Sequence, residues 1–109
     1  MPAYQDLNQQ FIGGKWSVGT STKTIPNLNP YHQTTIFEMQ GASVVDVDSA
    51  YSTAQKAFDE QLIQSTSLRQ YIIKNLEQVI QQRREEIIQW LIDESGSTRL
   101  KANIEVDAA

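Results

Sequence analysis

The chain has 109 residues, enough for one domain with a modest core. Its net charge of −4 argues against nucleic acid and against an anionic membrane surface as partners, because both recruit clustered Lys and Arg. The absence of cysteine excludes disulfides, a thiolate nucleophile and a cysteine metal site. No signal peptide or membrane span is recognisable, so we expect a soluble, cytoplasmic protein.

The first part of the chain has the pattern of short β-strands. Residues 1–10 are expected to form a polar N-terminal arm. The stretch FIGGKWSVG then places two glycines between apolar segments, which predicts a hairpin with arms at Phe11–Ile12 and Lys15–Val18 around a type I′ turn. The two prolines of TKTIPNLNPYHQTT fit an edge strand followed by a turn. TTIFEM, residues 34–39, is rich in β-branched and aromatic residues and predicts another strand.

From Ser43 onward the hydrophobic period changes from two residues to about 3.6, which indicates helices. Ser43 followed by Asp46 predicts a capping box at the start of the first helix. The apolar face of this helix is predicted to contain Val47, Tyr51, Ala54, Phe58 and Leu62.

A second helix is predicted from Ser67 to Ser95, with Gly96 as its C-terminal stop and a third helix beginning near Thr98. Ser67–Ser95 would span roughly 29 residues, or about 43 Å, whereas a compact domain of this length is only about 34 Å across. Ile73, Ile88 and Trp90 lie off its main apolar stripe. The helix therefore has more apolar surface than one neighbouring element would cover. Either a few apolar side chains are exposed to solvent, or a partner covers the helix.

Few residues suggest chemistry of their own. Gly14 and Gly19 have the spacing of a phosphate loop, but the following Lys is absent and the stretch lies in a hairpin. His32, the only histidine, stands in a turn and is expected to be exposed rather than a zinc ligand or a triad member.

Glu94 stands at the predicted C-terminus of the long helix, where a carboxylate opposes the negative end of the dipole. Either it is a solvated surface residue or a bound cation compensates it. From these residues alone, the chain is a small soluble domain of mixed α/β class without a self-contained active site.

The order of four segments resembles the start of the NAD(P)-dependent aldehyde dehydrogenase superfamily. The segments are FIGGKW, NLNP, DVDSAYSTAQKAFD and RQYIIKNLEQVIQQRREEIIQWLIDESGS. The matching positions are Ile12, Gly14, Trp16, Asn29, Pro30, Asp46, Val47, Asp48, Ala50, Ala57, Phe58, Arg69, Arg83, Glu94 and Gly96. A family tryptophan is missing near Leu62 and Ile63, and Ser97 replaces the Lys of the family's E-x-G-K. ESGST is similar to members that act on aromatic aldehydes such as benzaldehyde or vanillin.

The resemblance implies an α/β fold: an N-terminal β-hairpin and strand followed by three helices. These elements would form the front part of a Rossmann-like NAD(P)-binding domain, of which residues 11–109 are an incomplete portion. The chain would then be the N-terminal fragment of a longer oxidoreductase that works as an oligomer with NAD or NADP. In the family, a cysteine forms a thiohemiacetal, hydride passes to the nicotinamide, and water hydrolyses the thioester. We expect this chain to contain no catalytic and no cofactor-binding residue, to bind no cofactor and to be inactive alone.

The resemblance also implies a monovalent cation site. Some family members bind a cation through backbone carbonyls before the N-P turn and a carboxylate at the E-x-G-K position, which correspond to Asn27, Leu28 and Glu94. The expected partners are the rest of the parent polypeptide and, for the isolated chain, a second copy docked around Ile73, Ile88 and Trp90. The alternative is a stand-alone interaction module that docks a partner or itself through the long helix Ser67–Ser95.

Overall fold

The computed structural model describes residues 7–61 and 64–109. Within these ranges the strands and helices are β1 (Gln10–Ile12), β2 (Lys15–Ser17), β3 (Thr24–Asn29), β4 (Thr34–Gln40), α1 (Val44–Asp59), α2 (Thr66–Gln82), α3 (Arg84–Ser95) and α4 (Arg99–Ala108). Most of the predicted polar arm lies outside the described residues, as do Leu62 and Ile63 near the missing family tryptophan. The chain divides into two compact units, Met1–Asn27 with Thr35–Leu62 and Leu28–Thr34 with Ile63–Ala109.

The first hairpin is confirmed. β1 and β2 pair antiparallel, with Phe11 opposite Trp16. Gly13 and Gly14 have φ angles of 62° and 77°, which are the positive values that a type I′ turn requires. The rings of Phe11 and Trp16 lie 5.0 Å apart, so the pair adds an aromatic cross-strand contact. Gln10 belongs to β1 rather than to the predicted arm.

β3 and β4 form a second hairpin, as the edge strand, turn and strand of the prediction require. Gly41 N–H donates to the Lys23 carbonyl at 2.9 Å, and Gln33 N–H donates to the Asn29 carbonyl at 2.8 Å, so the strands run antiparallel. Gly19 lies close to Gly41, which directly follows β4. A Cβ added at Gly19 would lie 2.3 Å from the Gly41 carbonyl oxygen. Only glycine fits at that position without a backbone shift.

Helix α1 begins with the predicted capping box: the Ser43 side chain accepts from Asp46 N–H, and the Asp46 carboxylate accepts from Ser43 N–H. α1 contacts β1, and its Thr53 side chain approaches Gly13. The large apolar side chains predicted for one face of α1 are not buried: Tyr51 is 77% exposed and Phe58 is 79% exposed. Small residues therefore make the packed face of α1.

The predicted single helix Ser67–Ser95 is wrong. The observed helix α2 begins before Ser67. The Ser65 hydroxyl accepts a hydrogen bond from Leu68 N–H, which makes Ser65 the N-cap residue. The predicted span is also broken at Arg83, where φ is −99° and ψ is 13°. The described residues thus contain four helices where three are predicted. Gly96, with φ of 68°, ends α3 as predicted, and α4 begins after Thr98 as predicted.

The apolar core of the second unit lies between α3 and α4. Ile88 and Ala102 are fully buried, and Val106 is nearly so. Arg84 reinforces the packing through an ion pair with Asp107 and a 3.0 Å hydrogen bond to the Asn103 side chain. Ile88, expected to help form an exposed self-association surface, is the centre of this core and cannot contribute to such a surface.

None of the helices in the described ranges is long and apolar enough to cross a membrane.

Candidate functional site

The Asn29–Pro30 turn and the end of α3 meet within the second unit. Asn29 is buried, and its side-chain oxygen accepts hydrogen bonds from Tyr31 N–H at 3.0 Å and His32 N–H at 2.9 Å. This Asx turn fixes the backbone that follows β3. A Cβ added at Gly96 would lie 3.3 Å from Pro30 Cγ, so the turn packs tightly on the C-terminal cap of α3. Gly96 therefore meets two demands, a left-handed φ and close approach of the turn.

A shallow cavity of about 170 Å³ opens beside this contact, and His32, Asp93 and Ser97 are among its lining residues. His32 is exposed, as predicted, and its ring lies edge-on to Tyr31 with 4.9 Å between centroids. The Asp93 carboxylate accepts from the Gln89 side chain at 2.9 Å. Across residues 7–61 and 64–109, no group of three or more His, Cys, Asp or Glu side chains could hold a metal ion.

The residues of the predicted cation site lie on two elements. Asn27 and Leu28 lie in β3 directly before its last residue, Asn29. Asn27 belongs to the first unit and Leu28 to the second. Glu94 is exposed in the last turn of α3, two residues before Gly96. The structure thus places a carboxylate at the helix C-terminus, as the sequence predicts, and the cation site itself stays a prediction.

Sequence reasoning missed a polar site in the first unit, where Asp46 is buried at the start of α1. Its carboxylate accepts hydrogen bonds from Ser43 N–H at 2.9 Å and from both the N–H and the hydroxyl of Thr20 at 2.8 Å. The Ser43 backbone donor, followed by the two Thr20 donors, holds the pKa of Asp46 far below its usual range. The spacing of Ser43 and Asp46 predicts the cap, but no local signal indicates Thr20.

An open groove of about 540 Å³ runs between the first hairpin and α1. Phe11, the two turn glycines and several alanines give it a largely apolar lining. Gly13 faces Thr53 in the middle of α1 rather than a helix N-terminus, where unpaired N–H groups bind phosphate. The N-terminus of α1 is itself occupied by the Asp46 carboxylate. Neither the glycine turn nor the N-terminus of α1 therefore fits the diphosphate of a dinucleotide.

Residues 16–109 match the model of the aldehyde dehydrogenase family. The chain belongs to this family. It is 43% identical over 104 residues to the vanillin dehydrogenase of Corynebacterium glutamicum, a match that covers 95% of this chain and 22% of that protein. It is 38% identical over 103 residues to the benzaldehyde dehydrogenase YfmT of Bacillus subtilis, covering 94% of this chain and 21% of that protein.

The fold agrees with this membership. The crystal structure of an NAD-dependent benzaldehyde dehydrogenase from Corynebacterium glutamicum superposes with a TM-score of 0.87 at 41% identity, covering 98% of this chain and 23% of that one. The predicted α/β class is confirmed, and the chain matches the N-terminal part of the aldehyde dehydrogenase fold. It spans about a fifth of the length of the curated relatives it matches.

Proposed function

We propose that this chain is the N-terminal part of an NAD(P)-dependent dehydrogenase that oxidises aromatic aldehydes to carboxylic acids. The observation that carries the proposal is the 43% identity to a vanillin dehydrogenase and the 38% identity to a benzaldehyde dehydrogenase, each over nearly all of this chain. The structural neighbour is described as NAD-dependent, which supports a nicotinamide cofactor for the complete enzyme.

The chain's own contribution would be architectural. It has no cysteine to act as the nucleophile, and its described glycine turn does not fit a dinucleotide. In the complete enzyme, the nicotinamide would accept a hydride from the substrate, and residues outside this chain would position both. We therefore expect the 109-residue chain to give no saturable heat when titrated with NAD or NADP in a calorimeter. A saturable isotherm with either dinucleotide would contradict this part of the proposal.

The substrate proposal is tested on the polypeptide expressed from the complete reading frame. We expect kcat/KM for benzaldehyde and vanillin to exceed that for acetaldehyde by about tenfold or more, because an apolar pocket discriminates by the surface it covers. Assays with NAD and with NADP identify the cofactor. Oxidation of acetaldehyde alone would overturn the aromatic substrate class, and no oxidation of any aldehyde would overturn the enzymatic function.

We also propose that Leu28 and Asn27 carbonyls and the Glu94 carboxylate help to bind a monovalent cation in the complete enzyme. The support is the exposed carboxylate in the last turn of α3, where it opposes the helix dipole and a cation would compensate it. The complete enzyme should melt at a higher temperature in potassium than in tetramethylammonium at equal ionic strength. Glu94→Gln should abolish that difference. Equal melting temperatures of the unsubstituted enzyme in both salts would contradict the site.

A second candidate function is a partner-docking role, which the exposed apolar side chains of α2 favour. Ile73 is 64% exposed, and Ile72 and Leu76 are exposed as well. Because the helix is broken at Arg83, such a surface would lie on α2 rather than on all of Ser67–Ser95. Self-association of the isolated chain remains a prediction, and sedimentation velocity over a range of concentrations tests it. Monomeric behaviour throughout would contradict it.

A further inference from the structure

Helix α1 has two apolar faces that point in different directions. Ala50, Thr53 and Ala57 are half-buried and border the groove beside the first hairpin. The large apolar side chains form a second row at helical spacing, the outer face of α1, which consists of Val44, Val47, Tyr51, Ala54 and Phe58. At about 3.6 residues per turn, the two rows lie roughly 110° apart around the helix axis. The hairpin therefore cannot cover both of them.

The outer face is exposed to solvent. Val44 and Tyr51 are each 77% exposed, and Phe58 is 79% exposed. Among the described residues of the first unit, none of the buried side chains is apolar. A helix with apolar side chains on more than one side is normally packed between two neighbours. The outer face therefore has the composition of a buried surface but no covering element within the described part of this unit.

The charges beside the outer face disfavour a second copy of this chain as its cover. Asp48 and Asp59 lie on one edge of the face, about three helical turns apart. Asp59 accepts a hydrogen bond from the neutral side chain of Gln55 at 2.8 Å. Lys56 is paired with Glu60 instead. In a symmetric antiparallel pair of α1 helices, the acidic edges of the two copies would face each other and repel.

The relatives are long enough to supply a different cover. The chain spans 22% of the vanillin dehydrogenase and 21% of the benzaldehyde dehydrogenase that it matches, so about four fifths of such an enzyme lies outside this structure. A segment of the same polypeptide is tethered to α1, so it docks without the translational and rotational cost of capturing a free partner. Such a segment can also carry basic side chains opposite the acidic edge.

We propose that the outer face of α1 is the docking surface for a segment of the polypeptide that follows Ala109 in the complete enzyme. The segment places apolar side chains against Tyr51 and Phe58. Its Lys or Arg side chains lie opposite Asp48 and Asp59. The docking requires the longer enzyme, so it rests on the proposed function. It makes the first unit depend on later sequence, since α1 is packed on both apolar faces only after that segment docks.

Hydroxyl-radical footprinting measures this surface directly, because Tyr and Phe side chains are oxidised in proportion to their exposure to water. The 109-residue chain and the polypeptide from the complete reading frame are oxidised under the same conditions, and mass spectrometry gives the rates at Tyr51 and Phe58. We expect both rates to be lower in the complete enzyme by about fivefold or more, because a docked segment excludes water. The rates in the isolated chain should not change with its concentration.

Phe58→Asp tests the same surface through the stability of the complete enzyme. A carboxylate buried under the docked segment should lower the melting temperature by about 5 °C or more. Ser52→Asp is the matched control, since Ser52 is exposed on the polar face of α1, and it should shift the melting temperature by less than about 1 °C. If Phe58→Asp does not fold, footprinting of the unsubstituted enzyme still decides.

Equal oxidation rates at Tyr51 and Phe58 in both polypeptides would overturn the docking surface. If that enzyme still oxidises aldehydes, the proposed function stands and only the docking fails. Slow oxidation in the isolated chain would also overturn the docking. Rates that fall as concentration rises would identify a second copy as the cover, and rates that are low at every concentration would identify another part of this chain. A reading frame that ends at Ala109 would overturn both the docking and the proposed function.

Discussion

Different interactions stabilise each of the two units of the chain. In the second unit, the buried residues of the α3–α4 core are apolar, with Ile88 at its centre. In the described part of the first unit, the buried positions are Gly19, Gly41 and Asp46, so close backbone approach and one hydrogen-bonded carboxylate take the place of an apolar core. Shortening a buried apolar side chain should therefore lower the stability of the second unit most. The first unit should instead lose stability when a side chain is added at a close backbone contact, or when the pH falls.

The largest effect is expected for Ile88→Ala in the second unit. Removing a fully buried side chain loses its transfer free energy and leaves a cavity, and the free energy of unfolding should fall by about 3 kcal/mol. Urea unfolding followed by circular dichroism measures it. The control is Ile73→Ala on exposed α2, which should cost less than about 0.5 kcal/mol. Equal losses for both variants would contradict the position of the core.

The next effect is expected for Gly19→Ala in the first unit. The new Cβ would meet the Gly41 carbonyl oxygen at 2.3 Å and force the backbone apart, at a cost of about 2 kcal/mol. Gly14→Ala is the matched variant, since it enters open space and bears only the strain of a positive φ, about 1 kcal/mol. Urea unfolding of the two variants should rank them in this order. The reverse order would show that the Gly19–Gly41 approach does not hold the unit.

A smaller loss in the free energy of unfolding at neutral pH is expected for Asp46→Asn. The amide oxygen can still accept hydrogen bonds at the start of the helix, but it lacks the charge of the carboxylate. The pKa of Asp46 is lowered in the folded chain by the Ser43 and Thr20 donors, so the unfolded chain binds more protons as the pH falls. The stability that Asp46 contributes is present above about pH 3.9, the ordinary aspartate pKa, and is lost below it.

The pH dependence of urea unfolding separates this effect from general acid denaturation. Asp46→Asn should remove part of the decline in stability on the acid side. If the free energy of unfolding fell with decreasing pH in the same way for Asp46→Asn and the parent, the buried carboxylate would not stabilise the first unit.

The smallest effect is expected at the surface pair of Lys56 and Glu60, whose charged atoms are 3.8 Å apart on α1. Both side chains are well exposed, and Lys56→Ala should change the free energy of unfolding by less than about 0.5 kcal/mol. A loss above about 1 kcal/mol in the same urea series would show that the rim of the hairpin groove is more tightly packed than its exposure indicates.

Sequence predicted the features whose physical cause lies within a few residues. The Gly13–Gly14 turn and the Ser43 cap each depend on short-range geometry, and both occur where the sequence places them. Gly96 follows the same rule, because a left-handed φ ends a helix wherever it occurs. In the second unit, local rules failed at Arg83, where the backbone has no helix-breaking residue.

The missed features depend on residues distant in sequence. Ile88 is off the main stripe of the predicted helix, and only the position of α4 makes it a core residue. Thr20 reaches Asp46 across 26 positions, so no spacing rule could connect them. In the candidate cation site, the position of Glu94 follows from helix periodicity, but the docking of the Asn29–Pro30 turn on Gly96 required tertiary structure.

The most direct measurement is to sequence the source DNA beyond the codon for Ala109. If this chain is the N-terminal part of an aldehyde dehydrogenase, the frame should continue for several times the present length and encode a cysteine and a glutamate in dehydrogenase-like contexts. A stop codon directly after Ala109 would contradict the proposed enzymatic role, because the nucleophile and the cofactor site would then be missing from the whole protein.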